Sequence, residues 1–211
     1  MIAALFVAKG GIYYDLPNVD PWDEQRDARK YAGPHPVIAH PPCKRWGNYW
    51  SGGPPRVFVA RGLINGFDAV ARDAKYKLGD DGGCFIAALE AVRTFGGVLE
   101  HPLGSHAWKF FGLARPPRRG GWVIADRNGG WTCCVEQGAY GHRGRKATWL
   151  YANKIPYLPG LRWRAAGDFR YRQAQRGNRP GVVSRMSHEE RAATPTEFRD
   201  LLINLVEPCR K

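Results

Sequence analysis

Cys43, Glu100, Arg143 and Arg145 supply a thiol, a carboxyl group and two guanidinium groups, each beside a short apolar run. Such a set suits nucleophilic addition to a heteroaromatic ring. A thiolate can bond to C6 of a pyrimidine when the ring is activated by a proton or hydrogen bond at N3. A glutamate can make that contact while reading the Watson–Crick edge. Cations close by lower a thiol pKa and hold a sugar-phosphate. In a duplex C6 is hidden in the stack, so the base has to be extruded first. The plain alternative is a buried cysteine beside a proline turn, a common fate of free thiols.

The elements that would position these groups share one punctuation. Val37-Ile-Ala-His-Pro-Pro-Cys43 reads as a buried strand, and Pro41 and Pro42 end it because neither can donate a ladder hydrogen bond. Cys43 then falls at the carboxyl end of a strand, where open α/β sheets keep their ligand crevices. The loop that follows carries Lys44, Arg45, Trp46 and Trp50, cations for phosphates and rings for stacking bases. Val98-Leu-Glu-His-Pro102 repeats the pattern and puts Glu100 at a second strand end. A third strand, Ile2 to Val7, runs into Ala8-Lys9-Gly10-Gly11, where glycines allow close backbone approach to a ligand.

Leu16 to Trp22 reads as a turn-rich passage, and Asp23 to Tyr31 as a short helix capped by Asp23. Helical spacing marks 58–74 and, most strongly, Cys84–Phe95, which Gly96 and Gly97 end. Ala107–Phe111 is a further short helix. Trp122–Ala125 and Trp131–Val135 flank Asn128-Gly129 as a hairpin, and Ala147–Ala152 is another strand. Residues 154–185 are rich in Arg, Gly and Pro and form a long basic arm. Ser187-His-Glu-Glu opens a capping-box turn, and Thr194-Pro-Thr-Glu-Phe198 starts a last helix that turns Phe198, Leu201, Leu202 and Leu205 inward.

The 211 residues suit a single α/β domain, with a Rossmann-like three-layer arrangement around a mainly parallel sheet. Lys and Arg number 32 against 19 Asp and Glu, a net charge of +13 that points to a polyanionic partner, DNA first among them. Arg162, Arg164, Arg170 and Arg172 on the arm would add phosphate contacts. No long amphipathic basic helix suggests a membrane surface instead, and no apolar run approaches a membrane span. Five cysteines without a CxxC pair fit a reducing, cytoplasmic compartment. No metal is expected, because His40, His101 and His106 lack ligand spacing. Cys84 is expected in the core, and Cys133 and Cys134 on opposite faces of one strand.

In matching order over most of its length, the chain resembles the DNA cytosine-5 methyltransferases, as a minimal, phage-type relative. Phe6-Val-Ala-Lys-Gly-Gly11 is similar to their Phe-x-Gly-x-Gly-Gly cofactor turn, with Ala8 for the first glycine. His40-Pro-Pro-Cys43 is similar to their Pro-Pro-Cys nucleophile, and Val98-Leu-Glu-His-Pro102 to their Glu-Asn-Val strand. Ala139-Tyr-Gly-His-Arg-Gly-Arg-Lys146 resembles their arginine segment, and Arg191-Ala-Ala-Thr-Pro-Thr-Glu-Phe198 the segment supporting target recognition. The resemblance implies a base-flipping enzyme of a bacterial or phage-infected cell. Cys43 would be its nucleophile, with Glu100 on the base. It also implies S-adenosylmethionine at Phe6, Gly10, Gly11 and Asp20. Too few residues separate Gly11 from Asn18 for the family's cofactor helix, so only weak binding is expected.

Two other readings stand beside it. One is a base-excising or otherwise non-methylating base-modifying enzyme: Val19-Asp-Pro-Trp22 and His101-Pro-Leu-Gly-Ser105 are faintly similar to segments of uracil-DNA glycosylases, with Asp20 positioning a water and His101 stabilising the leaving base. The third is a DNA-binding protein without catalysis.

Overall fold

Four strands, Ile2–Leu5 (β1), Val19–Trp22 (β2), Val37–Ala39 (β3) and Gly97–Pro102 (β4), lie parallel in the order β2-β1-β3-β4. Three more, Trp122–Ile124 (β5), Trp131–Glu136 (β6) and Ala147–Asn153 (β7), continue the sheet as β4-β7-β6-β5, every pairing antiparallel. This computed structural model describes residues 1–47, 77–163 and 187–209. The α/β expectation is met, but the sheet is mixed rather than mainly parallel. The physical reason is chain length between strands. Residues 125–130 and 137–146 are too short for crossovers, so β5, β6 and β7 form a meander.

Both faces of the sheet are covered, which is why β1 and β3 read as unbroken apolar runs. Alternation along the strands sends Ala3, Leu5, Val37, Ala39 and Leu99 toward Phe85, Leu89 and Val92 of Cys84–Phe95 (α1). Ile2, Ala4, Ile38, Val98 and Leu150 point the other way. They meet Phe198, Leu202 and Leu205 of Thr196–Val206 (α4). Two short helices complete the set: His106–Phe110 (α2), whose Ala107 and Trp108 pack on the α1 face, and His188–Ala192 (α3). Ser187 and Glu190 close the expected capping box at the start of α3.

Two expectations fail near the amino end. The passage taken as turns contains β2, whose Pro21 is tolerated because β2 is the sheet's outer strand. The helix expected over Asp23–Tyr31 is instead a set of turns with one 3-10 turn at Ala28–Lys30. Asp23 spends its carboxylate on the backbone N–H groups of Gln25 and Arg26 and on the Tyr14 hydroxyl, and Asp27 adopts φ 52°. That side-chain competition closes a turn where a helix would have had to begin. The helix expected over 58–74, Trp50 and the arm residues Arg164, Arg170, Arg172 and Arg176 lie outside the described residues.

The junction of β3 and β4 holds the site together, and its tightest point is Gly97. It has φ 129°, and a Cβ there would stand 1.9 Å from the Val37 carbonyl oxygen. Gly97→Ala is expected to cost at least about 3 kcal/mol in urea unfolding, since strain and backbone overlap add. A loss below about 1 kcal/mol would mean that the β3–β4 contact is looser than described.

Candidate active site

β3 ends where it was expected to end. The His40 N–H makes the last ladder bond, to the Leu5 carbonyl (3.0 Å), and Pro41 and Pro42 follow. The chain then turns tightly, with the N–H groups of Trp46 and Gly47 both donating to the Cys43 carbonyl at 3.0 and 2.8 Å. Cys43 is left exposed at the rim. One strand over, β4 alternates Glu100 to the α4 face and His101 to the α1 face, among the neighbours of Val98 and Leu99 respectively.

Glu100 is the best-held group of the site. Its Oε1 accepts from Gln137 Nε2 at 3.0 Å, and its Oε2 lies 3.2 Å from His40 Nδ1. His40 Nε2 in turn meets the buried Tyr13 hydroxyl at 2.9 Å. Gln137 Nε2 also donates to Thr148 Oγ1 at 3.0 Å. Burial alone would raise the Glu100 pKa. The hydrogen bond and charge of His40, with Lys146 and His101 behind, outweigh it and set the pKa below the usual carboxylate range. Glu100 is therefore an ionised hydrogen-bond acceptor at neutral pH.

Cys43 feels the same carboxylate. Partial desolvation raises its pKa and the Glu100 charge raises it further, while Lys146 pulls it down. Lys146 starts the run into β7, and its Nζ donates to the Ala192 and Ala193 carbonyls at 2.9 and 2.7 Å. Desolvation lowers the Lys146 pKa, and Glu100 and Cys43 both oppose that shift. Thiol, carboxylate and ammonium thus lie within electrostatic reach of one another. Sequence reasoning missed His40, Gln137, Tyr13 and Lys146. Signals for two were present: His40 is on the same strand face as Glu100, and Lys146 closes the Arg-Gly-Arg-Lys run.

The two arginines expected at this site are engaged elsewhere. Arg143 pairs with Glu190 of α3, and Arg145 with the buried Glu136 at the end of β6. Of the residues expected on DNA, Lys44 is exposed, but Arg45 and Trp46 are buried. Trp46 is only 2% exposed and donates from Nε1 to Asp81 at 2.7 Å, so it is a packing residue rather than a stacking one. Arg162 is half occupied, its guanidinium 4.4 Å over the Tyr140 ring and 3.4 Å from Glu197.

The glycosylase pair is not brought together. Asp20 accepts from Trp22 Nε1 (2.8 Å) and pairs with Arg26, three strands from β4, roughly 14 Å across the sheet. His101 is fully buried between Phe85 and Trp108. Neither of its ring nitrogens has a hydrogen-bond partner among the described residues, and desolvation drives its pKa down to about 4 despite the nearby Glu100 and Pro42 carbonyl.

Beside the thiol, between the ends of β1 and β3 where the strand order reverses, lies a cleft of about 420 Å³. Phe6, Asp23, Glu24, Asp27 and Pro42 line it, together with Cys84, which is half-buried at the start of α1 rather than in the core. A cofactor crevice is expected at such a switch point. Of the four residues assigned to S-adenosylmethionine, only Phe6 reaches the cleft. Gly10 and Gly11 sit in a turn, more turns follow through residue 15 where a helix would supply N–H donors, and the Asp20 carboxylate is taken by Arg26 and Trp22. These residues do not form the donor set the resemblance implies. Among the described residues no cluster of His, Cys, Asp and Glu could hold a metal ion, and no helix is long and apolar enough to cross a membrane.

No protein-family model, curated protein or solved structure matches the chain.

The electrostatics of the rim make a direct prediction. Cys43 alkylation by iodoacetamide, followed by peptide mass spectrometry, should have a pH midpoint above that of free cysteine. Glu100→Gln should move it down and speed alkylation several-fold at pH 7.5, because the opposing carboxylate charge is gone. Lys146→Met should move it up. Unchanged midpoints in both variants would show that the three groups are not coupled.

Proposed function

We propose that the protein binds DNA and acts on an extruded pyrimidine, as a divergent relative of the DNA cytosine-5 methyltransferases with a Rossmann-like domain. The observation that carries this reading is an exposed thiol at the end of β3 within electrostatic reach of an ionised carboxylate on β4. The 2-1-3-4 order of the four parallel strands supports a doubly wound reading of that half of the sheet, with Cys43 at its carboxyl edge. The +13 charge supports a polyanionic partner.

In this mechanism the exposed Cys43 thiol first loses its proton to water, a step that the Lys146 ammonium favours. Sγ then bonds to C6, and the C5–C6 π pair shifts to C5 as N3 takes up a proton from water. Glu100, already fixed by Gln137 and His40, accepts from the exocyclic amine and stabilises the N3-protonated ring. Reversal expels the thiolate and restores the aromatic ring.

One observation favours a second reading, a binder without catalysis: the thiol pKa is raised, not lowered. A trapping experiment separates the readings. DNA carrying 5-azacytosine, whose electron-poor C6 adds a thiolate while ring N5 takes a proton from water, should become covalently attached to the wild-type protein, with trapping at least about 100-fold weaker in Cys43→Ser. Asp20→Asn should trap normally. Loss of base modification in Asp20→Asn with retention in Cys43→Ser would favour glycosylase chemistry. DNA binding without trapping or base modification in any variant would favour the binder.

The cofactor expectation is tested separately. Calorimetric titration with S-adenosylmethionine should give a dissociation constant weaker than about 100 μM, given the missing helix and the paired Asp20. Micromolar affinity would mean that the cleft beside Phe6, where Arg29 joins the three acidic side chains, binds it through other groups.

A further inference from the structure

Extruding a base leaves a hole in the duplex, and an enzyme that does so fills it with a side chain. Of the two rings expected to stack on bases, Trp46 is buried and Trp50 lies outside the described residues. Next to Trp46 stands Phe110 at the end of α2, which is 65% exposed. Its ring meets the edge of Trp46 at 5.2 Å and that of Phe111 at 5.0 Å, and Phe111 stacks on the buried Phe85 at 5.1 Å. Trp46 is fixed in turn by Asp81, which also accepts the Phe85 N–H of α1 at 2.8 Å. An exposed aromatic side chain thus has a rigid aromatic footing.

That footing is part of the Cys43 turn. Trp46 N–H donates to the Cys43 carbonyl, and the Trp46 carbonyl accepts from His106 N–H at 2.8 Å, joining α2 to the turn that presents the thiol. Cations flank the ring on both segments: Lys44 and Lys109 are exposed, and so are Arg115, Arg118 and Arg119 just beyond. An apolar wedge rimmed by phosphate-binding charge matches the chemistry of a duplex, with bases inside and anions outside.

We propose that Phe110 is the wedge that enters the DNA stack when the target base is extruded toward Cys43. The inference rests on the DNA-modifying reading above. α2 positions the ring, Trp46 and Phe111 hold it upright, and Lys44 and Lys109 contact the phosphates either side of the gap. Phe110 is a DNA-binding residue and takes no part in bond making.

The test uses the full-length protein and a 25-base-pair duplex holding pyrrolocytosine, a cytosine analogue that brightens on leaving the stack. Mispairing it with adenine makes extrusion cheap without a known target sequence. Anisotropy reports binding and emission reports extrusion. Wild type is expected to bind with salt-dependent affinity and to brighten. Phe110→Ala should still bind, while its extruded fraction falls about 5- to 100-fold, the range set by aromatic–base stacking. Phe110→Trp should retain brightening, and Phe110→Leu, apolar without a π face, should lose most of it. Brightening at the wild-type level in the bound Ala and Leu variants overturns the wedge and leaves the DNA reading intact. Absence of binding, or of brightening, in wild type overturns the DNA reading and the wedge with it.

Discussion

Glu100 is a carboxylate held away from water, and the arrangement around it follows from keeping it charged. A desolvated carboxylate either finds donors or takes up a proton. Here the donors are His40 at the end of β3 and Gln137 after β6, and the Lys146 ammonium before β7 adds its charge from a third part of the chain. Each must be in place for the others to matter. The 137–146 connection is closed on itself by Gln137 N–H to the Lys146 carbonyl and Gly138 N–H to the Arg145 carbonyl, which presents Gln137 and Lys146 together. Tyr13, at the end of the turns after β1, completes the ring of support through His40.

The cationic groups of this region divide by task. Arg143 and Arg145 satisfy Glu190 and the fully buried Glu136, and so fix the loop against α3 and β6. Lys146 is left to act on the thiol while its Nζ secures the Ala192–Ala193 carbonyls between α3 and α4. A compact ammonium suits that place better than a guanidinium fork. It can point to two carbonyls while its charge remains near Cys43 and Glu100.

What could be read from the sequence was local. Proline and glycine punctuation located β3, β4 and α1 nearly to the residue, and the apolar faces of α1 and α4 were evident from their spacing. What could not be read depended on contacts made far along the chain. Val19-Asp-Pro-Trp22 looks like a turn until β1 is known to lie beside it, and Asp23 looks like a helix cap until Tyr14 takes its carboxylate. Trp46 looked like a surface ring because its loop is basic, whereas Asp81 and Phe85 draw it into the core. Within the site, Cys43 and Glu100 came from motif and strand end. Lys146 was obscured by two arginines whose acidic partners no spacing rule reveals.

The change of pairing mode at β4 divides the fold by how soon its parts can form. β5, β6 and β7 close only the short connections 125–130 and 137–146, so little chain entropy opposes their meeting. β3 and β4 are joined only after the chain between Ala39 and Gly97 has been brought round, α1 included. By loop-closure entropy the meander is the early half and the β3–β4 pairing the late one. Cys43 and Glu100 are carried on opposite sides of that late seam. When the full-length chain refolds, Gln137 and Lys146 are therefore in position before the thiol and carboxylate meet, and the Cys43–Glu100 rim is among the last parts of the molecule to assemble.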